Sequence, residues 1–296
     1  MADSNSSFNS AEAYTISDNP QNVAGMFEKQ MLDAYAYSKA GYEMNINNDN
    51  FYCDGVYMRG FRFIDMKKSI ALSKNNAVFA VCNGVGTDGS ADEACKLVFS
   101  ILDKYRNDMC NAGNPHLVEH KITDFINEIN TELKQRTEKS RSDYSVKIAL
   151  AAVSDNVIYS VSTGECVVAC KSGGKIRYIT KPNGFVVGRM MNAIALPIKK
   201  SGYVGGDVLM LFSPGIVRAM SEAAINGVVG KENDAKNIAI NIIGYALKCG
   251  IRDSSTCIAV RNLAKESISK LTCIVASVCG VITLFDIIVI LRALIR

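Results

Sequence analysis

Apolar positions divide the chain into segments of distinct period. Residues 77–82, AVFAVC, are apolar throughout, as expected of a short strand covered on both faces. From 93 to 105 the apolar residues recur at Ala94, Leu97, Val98, Ile101 and Leu102, and from 117 to 137 at Ile122, Phe125, Ile126, Ile129 and Leu133. Both series have the period of a helix with one buried face. Strands are predicted at 148–153 and 157–161, joined by a polar turn at 154–156. Later, 208–212 reads as a strand, 217–223 as the start of a helix, 235–249 as another helix and 256–260 as a closing strand. Upstream, Met26, Met31, Leu32 and Tyr35 lie near one face of a short helix predicted over 25–41. A polar break follows at 47–50, and a strand starts near Phe51. Strands, then helices, then strands make a mixed α and β class.

The two ends differ from this middle. Residues 1–24 are rich in Ser, Asn and Asp without an apolar period and are expected to be a disordered tail. Residues 271–291, LTCIVASVCGVITLFDIIVIL, carry one charge in 21 residues between Lys270 and Arg292. As a helix they would extend about 31 Å at 1.5 Å per residue, which matches a hydrocarbon core of about 30 Å. A single-pass transmembrane helix is expected there, apolar all round rather than on one face. Asp286 lies about 7.5 Å from the end of that helix, where snorkelling lowers its cost, and is a candidate contact to a membrane partner. Five residues follow the span, and Arg261, Lys265 and Lys270 precede it, so the N-terminal domain is expected in the cytoplasm.

Composition narrows the function classes. The 296 residues carry a formal net charge of +4 and contain no dense Lys/Arg run, so nucleic acid is not an expected partner. The ten cysteines form no CxxC pair and follow no secretory signal, and they read as reduced, mostly buried thiols. His116 and His120 sit i, i+4 at a loop-to-helix junction, a surface pair rather than a zinc site.

Three blocks carry the candidate chemistry. Residues 78–94 read VFAVCNGVGTDGSADEA, 206–216 read GDVLMLFSPGI and 252–260 read RDSSTCIAV. In order and spacing they resemble the blocks that PPM-type (type 2C) metal-dependent protein serine/threonine phosphatases write as FAVADGMGGHxxGExA, GDxLLLCSDGL and xDNxTxIVV. Residues 148–180 are similar to that family's central hairpin, with Gly164, Glu165 and Cys166 where GDS is usual. The resemblance spans about residues 55–262. It implies an α+β fold, a four-layer helix–sheet–sheet–helix sandwich at 51–262. A short helix and linker at 25–50 would precede it; a linker at 263–270, the span at 271–291 and a tail at 292–296 would follow.

In the family, the aspartates of NxD, DG, SDG and DN hold two divalent metals. By this overlay the metal-site positions are Lys68, Asn83, Gly84, Pro214 and Asp253, and Asp253 is the one acid retained. Two ions about 3.5–4 Å apart bring a large positive charge that carboxylates normally offset. A Lys about 4 Å away would instead repel each unit of metal charge by roughly 4 kcal/mol at an effective dielectric near 20. Asn83 could offer an amide oxygen. Pro214 has no side-chain donor and suits the first turn of a helix. Asp253 could cap the turn before the closing strand. No metal cofactor is expected; the alternative is weakly bound Mn or Mg at Asp253, with Asp65 as a residual ligand. Arg62 lies one residue from the family's phosphate-binding Arg position, which Phe63 occupies, and Asp88 and Asp92 read as helix N-terminal acids. No nucleophile motif is present, and no catalytic residue is assigned.

The resemblance and its gaps imply a pseudophosphatase that binds rather than hydrolyses, and the apolar run at 271–291 would anchor it to a membrane. Its partner would be a protein, a phosphoprotein or a kinase, in phosphorylation signalling. The alternatives are an active metal-dependent protein serine/threonine phosphatase with a depleted site and a non-catalytic membrane-anchored scaffold.

Overall fold

A computed structural model of the protein describes residues 31–263, except 43–44, 61–63, 87–88, 112, 192–194 and 233. The expected tail at 1–24, the flanks 264–270 and 292–296, and the span 271–291 with Asp286 lie outside the described residues. So do Arg62, Phe63, Asp88 and the start of the predicted 25–41 helix.

Two antiparallel six-stranded sheets face each other. Sheet A is built, in spatial order, from β4 (Asp65–Leu72), β1 (Leu32–Lys39), β12 (Ser255–Asn262), β11 (Val208–Phe212), β8 (Val167–Ser172) and β9 (Lys175–Tyr178). Sheet B runs β10 (Lys199–Gly202), β7 (Val157–Ser162), β6 (Ser145–Ser154), β5 (Ala77–Val85), β2 (Asp49–Cys53) and β3 (Val56–Tyr57). Between them lies an apolar layer that includes Phe51, Phe79, Val81, Leu209, Leu211 and Ile258. The helices α1 (Ser90–Met109) and α2 (Pro115–Ser140) cover sheet B through Val98, Leu102, Ile122 and Phe125. On sheet A lie α3 (Pro214–Ala219), α4 (Glu222–Val229) and α5 (Ala235–Lys248), packed through Ile216, Ile225, Ile238 and Ile242. Helix, sheet, sheet and helix make four layers, as expected.

Local chemistry explains the element ends. The helix α2 starts where Asn114 accepts the Leu117 amide and Pro115 fills the first turn. The side chain of Asp234 caps α5 by accepting from the Lys236 amide. The β6–β7 hairpin turns on Asp155 and Asn156, both at positive φ, as a two-residue hairpin of this twist requires.

One predicted element is wrong. Residues 32–39 form strand β1, not part of a helix. Leu32, Ala34 and Ala36 face the inter-sheet layer while Tyr35 and Tyr37 face α5, so both faces are buried and no period-2 alternation remains to read. The spacing of Met31, Leu32 and Tyr35 then imitates a helix. The strand pairs with both β4 and β12, so the domain includes Leu32 and does not begin at residue 51.

This placement is testable. A fragment covering 31–263 should melt cooperatively, whereas one starting at residue 45 lacks β1, leaves β4 without a partner and one edge of β12 open, and should lose cooperative unfolding by circular dichroism. A sharp melt of the shorter fragment, within a few degrees of the longer one, would show that β1 is dispensable.

Candidate functional site

Inner-facing positions of the sheets change from apolar to polar at one end of the sandwich. Along sheet B, Phe51 gives way to Asp49 on β2, Val81 to Asn83 on β5 and Ala149 to Lys147 on β6. Strand register places Asp49 opposite Asn83 and Asn83 opposite Lys147, so the three form one row. Along sheet A, Ala36 gives way to Ser38, Ile258 to Thr256, Leu211 to Ser213 and Val168 to Cys166. Side chains at period 2 on paired strands leave these two rows facing each other.

The centre of the contact is the carboxylate of Asp49. It accepts a hydrogen bond from Asn83 Nδ2 at 2.7 Å, another from Thr256 Oγ1 at 2.8 Å, and a third from the Ser213 hydroxyl. Ser38 Oγ lies 2.7 Å from Thr256 Oγ1 and accepts from Asn47 Nδ2, and Ser213 Oγ accepts the Thr256 amide. Burial pushes Asp49 up to about 6, against the hydrogen bonds from Ser213 and Asn83 that favour the anion. Two glycines allow the backbones to close on this centre. A Cβ on Gly84 would lie 2.2 Å from the Ala91 carbonyl oxygen, and one on Gly215 would lie 2.0 Å from that of Ser254.

Outside this buried centre lies a chain of alternating charges. Asp253 Oδ1 accepts the Ser254 amide, and its Oδ2 accepts from Arg218 of α3 at 2.9 Å. Arg218 also donates to Glu165 at 2.6 Å, and Lys147 Nζ lies 2.7 Å from the other oxygen of Glu165. Burial alone would raise Glu165, but the hydrogen bonds from Lys147 and Arg218 outweigh it and hold the carboxyl at about 2. The thiol of Cys166 is pushed up by burial, which favours its protonated form.

The expected positions separate into those that meet here and those that do not. Asn83, Gly84, Pro214 and Asp253 are at this end, with Pro214 in the first turn of α3. Lys68 is not among them. It is exposed on edge strand β4 opposite Ala36, one step along the inner face from Met66, which pairs with Ser38. Asp65 is not a residual ligand either, since its carboxylate meets Lys39 Nζ at 3.0 Å and the Tyr37 hydroxyl at 3.4 Å on the face covered by α5. The N-x-D pattern that the resemblance calls for is instead Asn47, Asn48 and Asp49, which the strand register sets beside Asn83. Two of four acids are therefore present, Asp49 and Asp253. His116 and His120 are exposed, and His120 Nδ1 lies 2.9 Å from Asp124. Asp92 is in the first turn of α1, paired with Lys96. The eight cysteines among the described residues are free thiols, six of them buried.

Comparison with solved structures identifies the architecture. The chain superposes on the Mycobacterium tuberculosis serine/threonine phosphatase PstP/Ppp with a TM-score of 0.63 at 17% identity, over 78% of this chain and 99% of that one. The fold is that of the PPM-type serine/threonine phosphatases. PppA of Pseudomonas aeruginosa, described as a key regulatory component of the T6SS, is similar at a TM-score of 0.64 and 16% identity, over 78% and 98% of the two chains. The PstP catalytic domain in complex with two manganese ions matches at 0.61 and 18% identity, over 78% and 98%. No family model matches the sequence, and no curated protein matches it.

The donor set does not fit the pair of divalent ions that this fold implies. The Asp49 carboxylate is taken by donors from Asn83, Thr256 and Ser213, and Asp253 by Arg218. Pro214 offers no side-chain oxygen, and the Lys147 ammonium stands in the row beside Asn83. Among the described residues, no three His, Cys, Asp or Glu side chains gather closely enough to hold a metal.

The raised Asp49 gives a pH signature. A carboxyl that binds its proton more tightly in the folded state stabilises the fold below its ordinary value of 3.8, and that contribution is lost as pH rises through about 6. The rise corresponds to about 3 kcal/mol. Urea melts should show wild-type stability falling relative to Asp49→Asn between about pH 4 and pH 6.5, then running parallel. A constant difference across that window would show that Asp49 is ionised throughout.

Proposed function

We propose that this chain is a membrane-anchored pseudophosphatase. A PPM-type domain with a disabled metal site would serve as a binding module in protein phosphorylation signalling, with a phosphoprotein or a kinase as partner. The observation that carries this reading is the saturation of both retained acids by protein donors. An ion entering the cleft would have to displace Asn83, Thr256 and Ser213 from Asp49, and Arg218 from Asp253, while gaining nothing from Pro214. Each buried donor displaced from Asp49 would be left unsatisfied, at about 1–3 kcal/mol apiece, whereas Arg218 is partly exposed and keeps Glu165. Without bound ions there is no activated water, so no hydrolytic step is assigned to this cleft.

The reading predicts that the full-length protein binds no manganese by isothermal titration calorimetry and hydrolyses neither a phosphoserine peptide nor an aryl phosphate in manganese or magnesium. The variant N83D/P214D/R218A, which supplies two acids and frees Asp253, should gain measurable manganese binding. Metal-stimulated turnover by the wild type that Asp253→Ala abolishes would establish the active, metal-depleted alternative instead.

The membrane anchor rests on the apolar run at 271–291. Among the described residues no helix is long and apolar enough to cross a membrane, and strand β12, which closes the domain, ends at Asn262, before that run. With Arg261, Lys265 and Lys270 on its N-terminal side, a spanning segment there would keep the domain in the cytoplasm and leave Asp286 to meet a partner helix. Full-length protein should therefore resist carbonate extraction, while a truncation after residue 263 is released as a folded, soluble domain. Aggregation of that truncation would show that the run is part of the domain core.

A further inference from the structure

Near the cleft, a cavity of about 360 Å³ opens between the end of β7, the segment 179–185 and the segment 196–199. Its apolar walls are Ile179, Phe185, Leu196 and Pro197, with Lys181 and Lys199 at the rim. The volume falls within the usual range for ligand pockets, about 300–1,000 Å³. Leu196 is buried in the core beneath sheet B, whereas the Phe185 ring is 43% exposed. No acid lines the cavity, and neither ammonium has an ion-pair partner among the described residues.

The loop that carries Phe185 is held in place. Asn183 Nδ2 donates to the Ser162 carbonyl at 2.9 Å, and its Oδ1 accepts from the amides of Gly164 and Phe185, both at 3.1 Å. One side chain thus fixes the cavity wall and the turn that presents Glu165 to the cleft. A segment bound across both would meet a fixed surface, without the cost of ordering a loop.

We propose that this cavity takes an aromatic or large aliphatic side chain from an extended segment of a partner protein whose flanking residues are acidic. The apolar walls select the anchor by burial, and the two rim lysines select the flanks by charge. A second copy of this chain is a poor occupant, because a two-fold contact here would set the same lysine-rich rim against itself. A free phosphate would engage the lysines but leave the walls uncovered. The proposal deepens the binding role given above by naming the class of partner, and it is read by peptide binding alone, so either can fail without the other.

The test uses full-length protein and a fluorescein-labelled peptide, Gly-Asp-Glu-Asp-Phe-Asp-Glu-Asp-Gly, followed by anisotropy. Half-saturation is expected below about 1 mM, with binding weakened as salt rises from about 50 mM to about 300 mM. K181E/K199E and F185A, all at exposed positions, should each weaken binding about tenfold at an unchanged melting temperature. Replacing the peptide's Phe by Ala, or its acids by Lys, should have the same effect. No saturation up to about 1 mM, equal binding of the basic peptide, or affinity untouched by the variants overturns the proposal. Self-association that F185A abolishes, without peptide binding, would make a second copy the occupant and overturn it equally.

Discussion

At their polar end the two sheets are joined through the carboxylate of Asp49, which takes donors from Asn83 on its own sheet and from Thr256 and Ser213 on the other. A carboxylate removed from water costs several kcal/mol unless such partners meet it, so each partner's position is constrained by the others. The β2–β5 register is fixed by Asp49 opposite Asn83. The end of β1 is fixed because Ser38 must reach Thr256, and the start of α3 because Ser213 serves both Asp49 and the Thr256 amide. A slip of one residue on any of these strands would turn its polar side chain to the opposite face and leave the others unpaired.

The charges outside this centre follow from its geometry. With α3 starting at Ser213, Arg218 comes one turn later beside Asp253, and Glu165 is held between Arg218 and Lys147. All four are partly exposed, and solvent screening makes each pair individually weak. Their effect is to cross-link the loop before β12, helix α3, the β7–β8 turn and strand β6, four segments that converge only at this end. Two acids alternate with two cations, so the cleft carries no net charge from this set. Within this set an incoming divalent ion would find no uncompensated negative charge; Asp49, met by neutral donors, stands outside it.

Much of the fold was legible in the sequence because its central elements have a single clear period. Helix α5 and the β6–β7 hairpin fall where periodicity placed them, and α1 and α2 run a few residues beyond the predicted ends. Strand β1 was not legible, since burial on both faces removes alternation. The short edge strands β3 and β10 carry no pattern of their own. Of the site, Asn83, Pro214 and Asp253 could be read from motif spacing. Asp49 could not, because Asn47, Asn48 and Asp49 look like a polar loop until strand pairing sets them beside Asn83. Its first-acid position was consequently assigned to Lys68, on an edge strand with the right spacing but the wrong neighbours. Arg218 and Lys147 gave no sequence signal, since Lys147 matters through Glu165, and Arg218 through Glu165 and Asp253, acids that lie distant in the chain from them.

What has changed and what has stayed in the motifs bears on the proposed role. In the DG-like pair the acid has become Asn83 while Gly84 remains, and in the SDG-like block the acid has become Pro214 while Gly215 remains. Both glycines are fixed by backbone packing: any larger residue would drive a Cβ to about 2 Å from a carbonyl oxygen and force α1 or α3 away from its sheet. An acid whose use is to hold an ion has no such packing constraint and can be exchanged for a residue that satisfies its neighbours, as Asn83 does for Asp49. Of the four acid positions of the resembling family, two are filled by Asn83 and Pro214 and two keep an acid, Asp49 and Asp253, whereas both close-packed glycines are in place.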